Sequence, residues 1–160
     1  MKKWLITFFV AIGLLFSGCT LLINSLLPNE YEVLESNWDI YLPKADEKKN
    51  LLTTDASFQG DGEWFALFDY SKPIDFSNTG LIKLTSNEIS DANNKIAQFI
   101  KKTIDIRQNS KEIVDIFNQY DVEAEVGDYY YYGEHHNGND FIILLYKSEL
   151  HQLYKYEWHQ

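Results

Sequence analysis

Three groups of side chains in the sequence carry recognisable chemistry. Glu134-His135-His136, with Asp128 and Asp140 close by, has the residue types of a metal centre, two imidazoles among carboxylates. Asp61 and Glu63, around Gly60-Asp61-Gly62, form a carboxylate pair of the kind that divides acid and base work. Cys19 is the chain's one cysteine, and a thiolate is a nucleophile. His151 and His159 complete the histidines, one beside a turn pattern and one near the last residue.

Spacing decides against most of this chemistry. Adjacent histidines on a strand point to opposite faces, whereas shared ligation needs i, i+2 on a strand or i, i+4 on a helix. His135-His136-Asn137-Gly138-Asn139 reads instead as a hairpin tip, and no bound metal is expected. Asp61 and Glu63 flank a tight turn where water can solvate both. Gly60-x-Gly62 is no phosphate loop, since no G-x-x-x-x-G-K-[ST] or G-x-G-x-x-G occurs and no helix follows. A G-x-S-x-G elbow is also missing. The expectation is no catalytic residue, no cofactor and no metal. The competing expectation is a surface hydrolase or metal-dependent enzyme built around Glu134, His135 and His136.

Periodicity supplies the elements that would carry these residues. Trp38, Ile40 and Leu42 alternate with polar positions and suggest a short strand; Lys44 to Asn50 reads as a loop. Gln59-Gly60-Asp61-Gly62 suits a turn leading into a strand from Glu63 to Tyr70, apolar on both sides and hence internal. Ile82 and Leu84 suggest another strand. Ile89, Ala92, Ile96, Phe99, Ile100 and Ile104 form a helical stripe, preceded by a Thr85-x-x-Glu88 capping box. Ile113, Ile116, Phe117 and Tyr120 form a second, with Asn109 or Ser110 as N-cap. Phe141 to Tyr146 is a core strand. Leu153 to Trp158 sets Tyr154, Tyr156 and Trp158 against a wet face of Lys155 and Glu157, with a hairpin loop from Lys147 to Gln152. In Tyr129–Tyr132 one alternate pair should pack on the core and the other face solvent or neighbouring rings. The predicted class is α+β, a single domain with an antiparallel sheet and two helices on one face.

Composition limits the partners. The 160 residues carry 14 Lys+Arg against 24 Asp+Glu, a net charge of −10. That balance argues against nucleic acid, whose phosphates require a cationic face. Hydrophobic residues make up 45%, enough for a packed core. A single cysteine allows no internal disulfide.

The N-terminus has the layout of an export signal. Lys2-Lys3 is followed by a charge-free run from Trp4 to Phe16, then by Ser17-Gly18-Cys19. Leu15-Phe16-Ser17-Gly18-Cys19 resembles the lipobox of bacterial lipoproteins. That resemblance implies a signal peptide over 1–18, cleavage before Cys19, and lipidation of its thiol with diacylglycerol and palmitate-class acyl chains. It further implies a tether over 19–30 and an extracytoplasmic domain over 31–160 on the cell membrane. Phe16 stands where the family usually has Leu. The alternative is an uncleaved transmembrane helix, since Trp4 to Leu27 carries no charge and is long enough to span the hydrocarbon.

Two further segments resemble a family. Phe58-x-Gly60-Asp61-Gly62-Glu63 before an aromatic strand, and Leu153-Tyr154-x-Tyr156-Glu157 at the end, are similar to a group of small, uncharacterised proteins of low-GC Gram-positive bacteria. The resemblance implies hairpins and no chemistry. The expected function is a membrane-tethered, non-catalytic binding or interaction module, its partner a protein or a carbohydrate.

Overall fold

The computed structural model describes residues 29–54 and 61–160. Cys19 and the export signal lie outside the described residues, as do Gln59 and Gly60 of the expected turn. The chain divides into two compact units, Met1–Asp39 and Ile40–Gln160. The described part of the first is helix α1 (Glu30–Trp38). Asn29 caps it, its side chain accepting from the backbone N–H groups of Tyr31 and Glu32, while the Glu32 carboxylate accepts from Asn29 N–H at 3.0 Å. These reciprocal bonds satisfy donors that the first helical turn leaves open. Asp39, at φ 56, ends the helix. The expected strand from Trp38 is therefore wrong: Trp38 belongs to α1, and Ile40 and Leu42 lie in irregular chain. Three alternating residues are too few to outweigh a complete cap three residues upstream of the first turn's end.

The second unit is mixed α+β. Strands β1 (Glu47–Thr53), β2 (Gly62–Asp69), β3 (Ile82–Lys83), β4 (Tyr129–His135), β5 (Asp140–Lys147) and β6 (Gln152–His159) form one open sheet. Its spatial order is β1-β2-β6-β5-β4-β3, antiparallel at every pairing. Helices α2 (Ile89–Ile106) and α3 (Lys111–Gln119) fall between β3 and β4 in sequence. β1 occupies the segment expected as a loop. Glu47, Lys48 and Lys49 are exposed edge residues, and a register shift interrupts pairing between Asn50 and Leu52. Charge and irregularity discourage pairing with another chain, and they also hide an edge strand from a search for alternation.

Alternation places Phe65, Leu67, Ile143, Leu145, Tyr154, Tyr156 and Trp158 in one buried cluster with Ala92, Ile96 and Phe99 of α2 and Ile113 and Phe117 of α3. Tyr156 stacks on Phe65 at 4.5 Å between ring centroids, and Phe99 meets Tyr156 edge-on at 5.3 Å. Ala66, Phe68, Ile142 and Leu144, on the alternate positions, are buried as well, so β2 is internal as expected. The expectation of a wet face on β6 fails. Lys155 and Glu157 are both buried, joined at 2.6 Å. Two opposite charges at i, i+2 neutralise each other, which permits a burial that neither tolerates alone.

Thr85 and Glu88 form a turn in which the Glu88 carboxylate accepts from Thr85 N–H at 2.9 Å. The helix starts one residue beyond it, at Ile89, and Glu88 holds the N-cap place without a side-chain cap. At α3 the N-cap residue is Ser110, again without a side-chain bond.

One core detail has a measurable effect. The Tyr156 hydroxyl is buried without a hydrogen-bond partner among the described residues, and an unmade bond costs a buried group its hydration. Tyr156→Phe should therefore leave stability unchanged or raise it by about 1 kcal/mol in denaturant unfolding. A loss of that size would mean the hydroxyl is bonded.

Candidate functional site

The His135–Asn139 tip is built as expected. β4 and β5 pair from Tyr129↔Tyr146 to His135↔Asp140, and a single 3-10 turn, His136–Gly138, joins them. His136, Asn137 and Gly138 all take positive φ, at 51°, 59° and 83°. Only glycine adopts that region freely; asparagine tolerates it better than histidine does. The tip therefore needs ties to hold it.

Asp140 supplies them. One carboxylate oxygen, Oδ2, accepts from Nδ1 of His136. The other, Oδ1, accepts from Gln160 N–H at 3.1 Å and lies 3.4 Å from Nδ1 of His159. Nε2 of His159 meets Glu157 Oε1 at 3.0 Å, and Glu157 Oε2 accepts from Lys155 Nζ at 2.6 Å. The ring of Trp64 on β2 stands edge-on to His159 at 5.4 Å. A continuous chain of polar contacts thus runs Lys155, Glu157, His159, Asp140, His136, across β6, β5 and the tip.

The environment shifts three of these groups. Burial pushes the Glu157 carboxyl up, but the His159 hydrogen bond and the Lys155 charge outweigh it and leave it at about 2. For Asp140 burial also pushes upward, and the bonds from His136 and Gln160 bring the net shift below the usual carboxylate value. The Glu157 hydrogen bond holds the His159 imidazolium above the ordinary histidine value, against the opposing effect of burial.

The acids near the paired histidines serve separate partners. Asp128 bonds Lys147 at 2.6 Å, Glu134 accepts from the Tyr132 hydroxyl at 2.6 Å, and only Asp140 joins His136. Among the described residues no group of three His, Cys, Asp or Glu side chains could hold a metal ion. The expectation that water solvates Glu63 fails: it is buried and takes the Arg107 guanidinium, with Nε at 3.0 Å. His151 is a turn residue with φ 54.

Sequence reasoning passed over His159 as too close to the last residue. The signal was present: Lys155, Glu157 and His159 fall at i, i+2 and i+4, one face of a strand. Tyr130 is buried and Tyr132 packs against the core, while Tyr129 stacks on Phe76 at 3.8 Å. This matches the expected division of the tyrosine run. Lys95 lies 4.1 Å over the Tyr132 ring.

Two clefts of about 360 Å³ lie elsewhere. One is lined by Pro43, Lys44, Asp46, Tyr70 and Ser71 to Asp75. The other is formed by Leu51 to Thr54 of the β1 end with Arg107, Ser110, Glu112, Ile113 and Ile116. Neither is lined by the His159 chain. Among the described residues no helix is long and apolar enough to cross a membrane. No family model, curated protein or solved structure matches the chain.

Proposed function

We propose that the chain is a lipoprotein held on the outer side of a cell membrane through Cys19, with a folded domain that binds a protein or carbohydrate and does no catalysis. The observation carrying the reading is positional. The one cysteine follows Ser17-Gly18 directly after a charge-free run that begins behind two lysines. In such a signal the lysines stay inside while the apolar run enters the bilayer. Loss of residues 1–18 removes Lys2 and Lys3 and takes the charge from −10 to −12. Anionic headgroups repel such a surface, so acyl chains must hold it, at about 0.8 kcal/mol per buried CH₂.

A binding role is favoured over a catalytic one because Asp128, Glu134 and Asp140 are each committed to a different partner. In this reading α2 and α3 lie together on one face of the sheet, as their shared cluster with Phe65, Tyr156 and Trp158 supports.

Expression in a bacterial host with a labelled fatty acid tests the anchor. The wild type should carry label, lack residues 1–18 and sediment with membranes. Cys19→Ala should accumulate as an unlabelled, full-length precursor. Wild-type protein that keeps Met1 to Gly18 and carries no lipid would replace the lipoprotein with the uncleaved helix.

A further inference from the structure

We propose that the end of β6 is a proton-operated clasp, in which His159 protonated on both ring nitrogens ties β6 to the β4–β5 tip through Glu157 and Asp140, and loss of one proton slackens the tip.

The geometry favours the cation. Both neighbours of His159 are carboxylates: Nε2 hydrogen-bonds Glu157 at 3.0 Å, and Nδ1 lies at ion-pair distance from Asp140, 3.4 Å. An ionised carboxylate only accepts, so a ring set between two of them is best satisfied with a proton on each nitrogen, as the cation. Charge agrees with this. The His159 cation lies between two carboxylates, Glu157 and Asp140, and losing its proton leaves both facing a neutral ring in a partly buried row. A lone pair then faces one carboxylate. The Asp140 contact is the longer of the two, so the remaining proton stays with Glu157 and Asp140 is released.

Release matters because of what Asp140 restrains. It closes a turn of three successive positive-φ residues, two of which have side chains that resist that conformation. Without the His159 contact only the His136 and Gln160 bonds hold the Asp140 carboxylate in place, so both weaken, and the tip and the Gln160 amide loosen while β5 and β6 stay paired.

The other groups around His159 are few. His135 pairs with Asp140 in register, Gly62 pairs with His159 and is preceded by Asp61, and Trp64 presents an uncharged ring edge. Glu63 occupies the alternate face with Arg107. The direction of the effect follows from His159 being held above its ordinary value. A raised folded value means its stabilisation is complete below the unfolded value, about 6.5, and is lost as pH rises through the folded one.

The test uses the full chain in detergent micelles. Imidazole resonances are titrated alongside hydrogen exchange at the Asn139, Asp140 and Gln160 amides, corrected for the intrinsic pH dependence of exchange. His159 should titrate above an ordinary histidine, and protection of the three amides should fall severalfold across that same titration. His159→Gln, a neutral donor that cannot bridge both acids, should give weak protection that no longer depends on pH. Asp140→Asn should lower the His159 titration point, a readout that stands even if the first variant folds poorly. An ordinary or lowered His159 titration in wild type overturns the clasp. So does flat protection across it, or a pH dependence that survives in His159→Gln.

Discussion

Deletion of Leu153 to Gln160 should yield insoluble or unfolded protein. β6 is an interior strand, paired with β2 on one side and β5 on the other. Its removal leaves both neighbours with unpaired backbone groups, and a buried unpaired group costs about as much as a lost hydrogen bond. It also removes Tyr154, Tyr156 and Trp158 from the cluster that Phe65, Phe99 and Phe117 share. Each large buried side chain contributes about 1.5–3 kcal/mol, and a whole domain is stable by only about 5–15 kcal/mol. The check is solubility and a thermal melt of the truncated chain. A monomer melting within a few degrees of the full protein would mean that β6 does not sit between β2 and β5.

Lys147→Met should be the most damaging single substitution outside the apolar cluster. Lys147 is 8% exposed and Asp128 only 4%. Lys147 Nζ bonds Asp128 at 2.6 Å, Glu125 at 2.7 Å and the Glu123 carbonyl at 2.8 Å. Asp128 in turn accepts from the N–H groups of Glu125 and Ser148. The backbone of Gly127 and Asp128 ties to Leu84, at the end of β3. One cation therefore organises the whole segment that leads into β4. Without it the Asp128 charge stays buried and unpaired, a loss of about 3–5 kcal/mol in measured cases of this kind. Adding Asp128→Asn should recover a large part of that loss, because the stranded charge is then gone. Denaturant unfolding of the single and double variants measures both. A single variant within about 1 kcal/mol of wild type would mean that the segment folds without its ion pair.

The strands with strong internal character were legible. FIILLY is apolar at every position, and β5 extends it by one residue at each end. The long stripe of α2 was equally plain, since burial of one helix face leaves a three- and four-residue period. Of the two edges, β3 was legible at Ile82 but β1 was not. β1 reads EKKNLLT because an edge strand faces water, and solvation erases the alternation that marks a half-buried one. The histidine chain was hidden for a related reason. Its members come from β6, β5 and the hairpin tip, and only the pairing of Phe141 with Trp158 brings Asp140 beside His159. Lys155 and Glu157 misled because each alone signals water. Their neutralisation as a pair depends on holding both on one strand face, which spacing implied but residue type concealed.

The strand order also governs how the protein is made. β2 is synthesised early, yet one of its two neighbours, β6, follows far later, with Asp69 and Gln152 joined across 83 residues. Closing so long a loop costs chain entropy before any contact repays it, which makes this pairing a slow step. During that interval Phe65, Ala66, Leu67 and Phe68 form an apolar run with an open edge, the kind of segment that aggregates in a crowded cell. Until the β6 segment arrives to fill the centre of the sheet, that run is the part of the nascent chain most in need of cover.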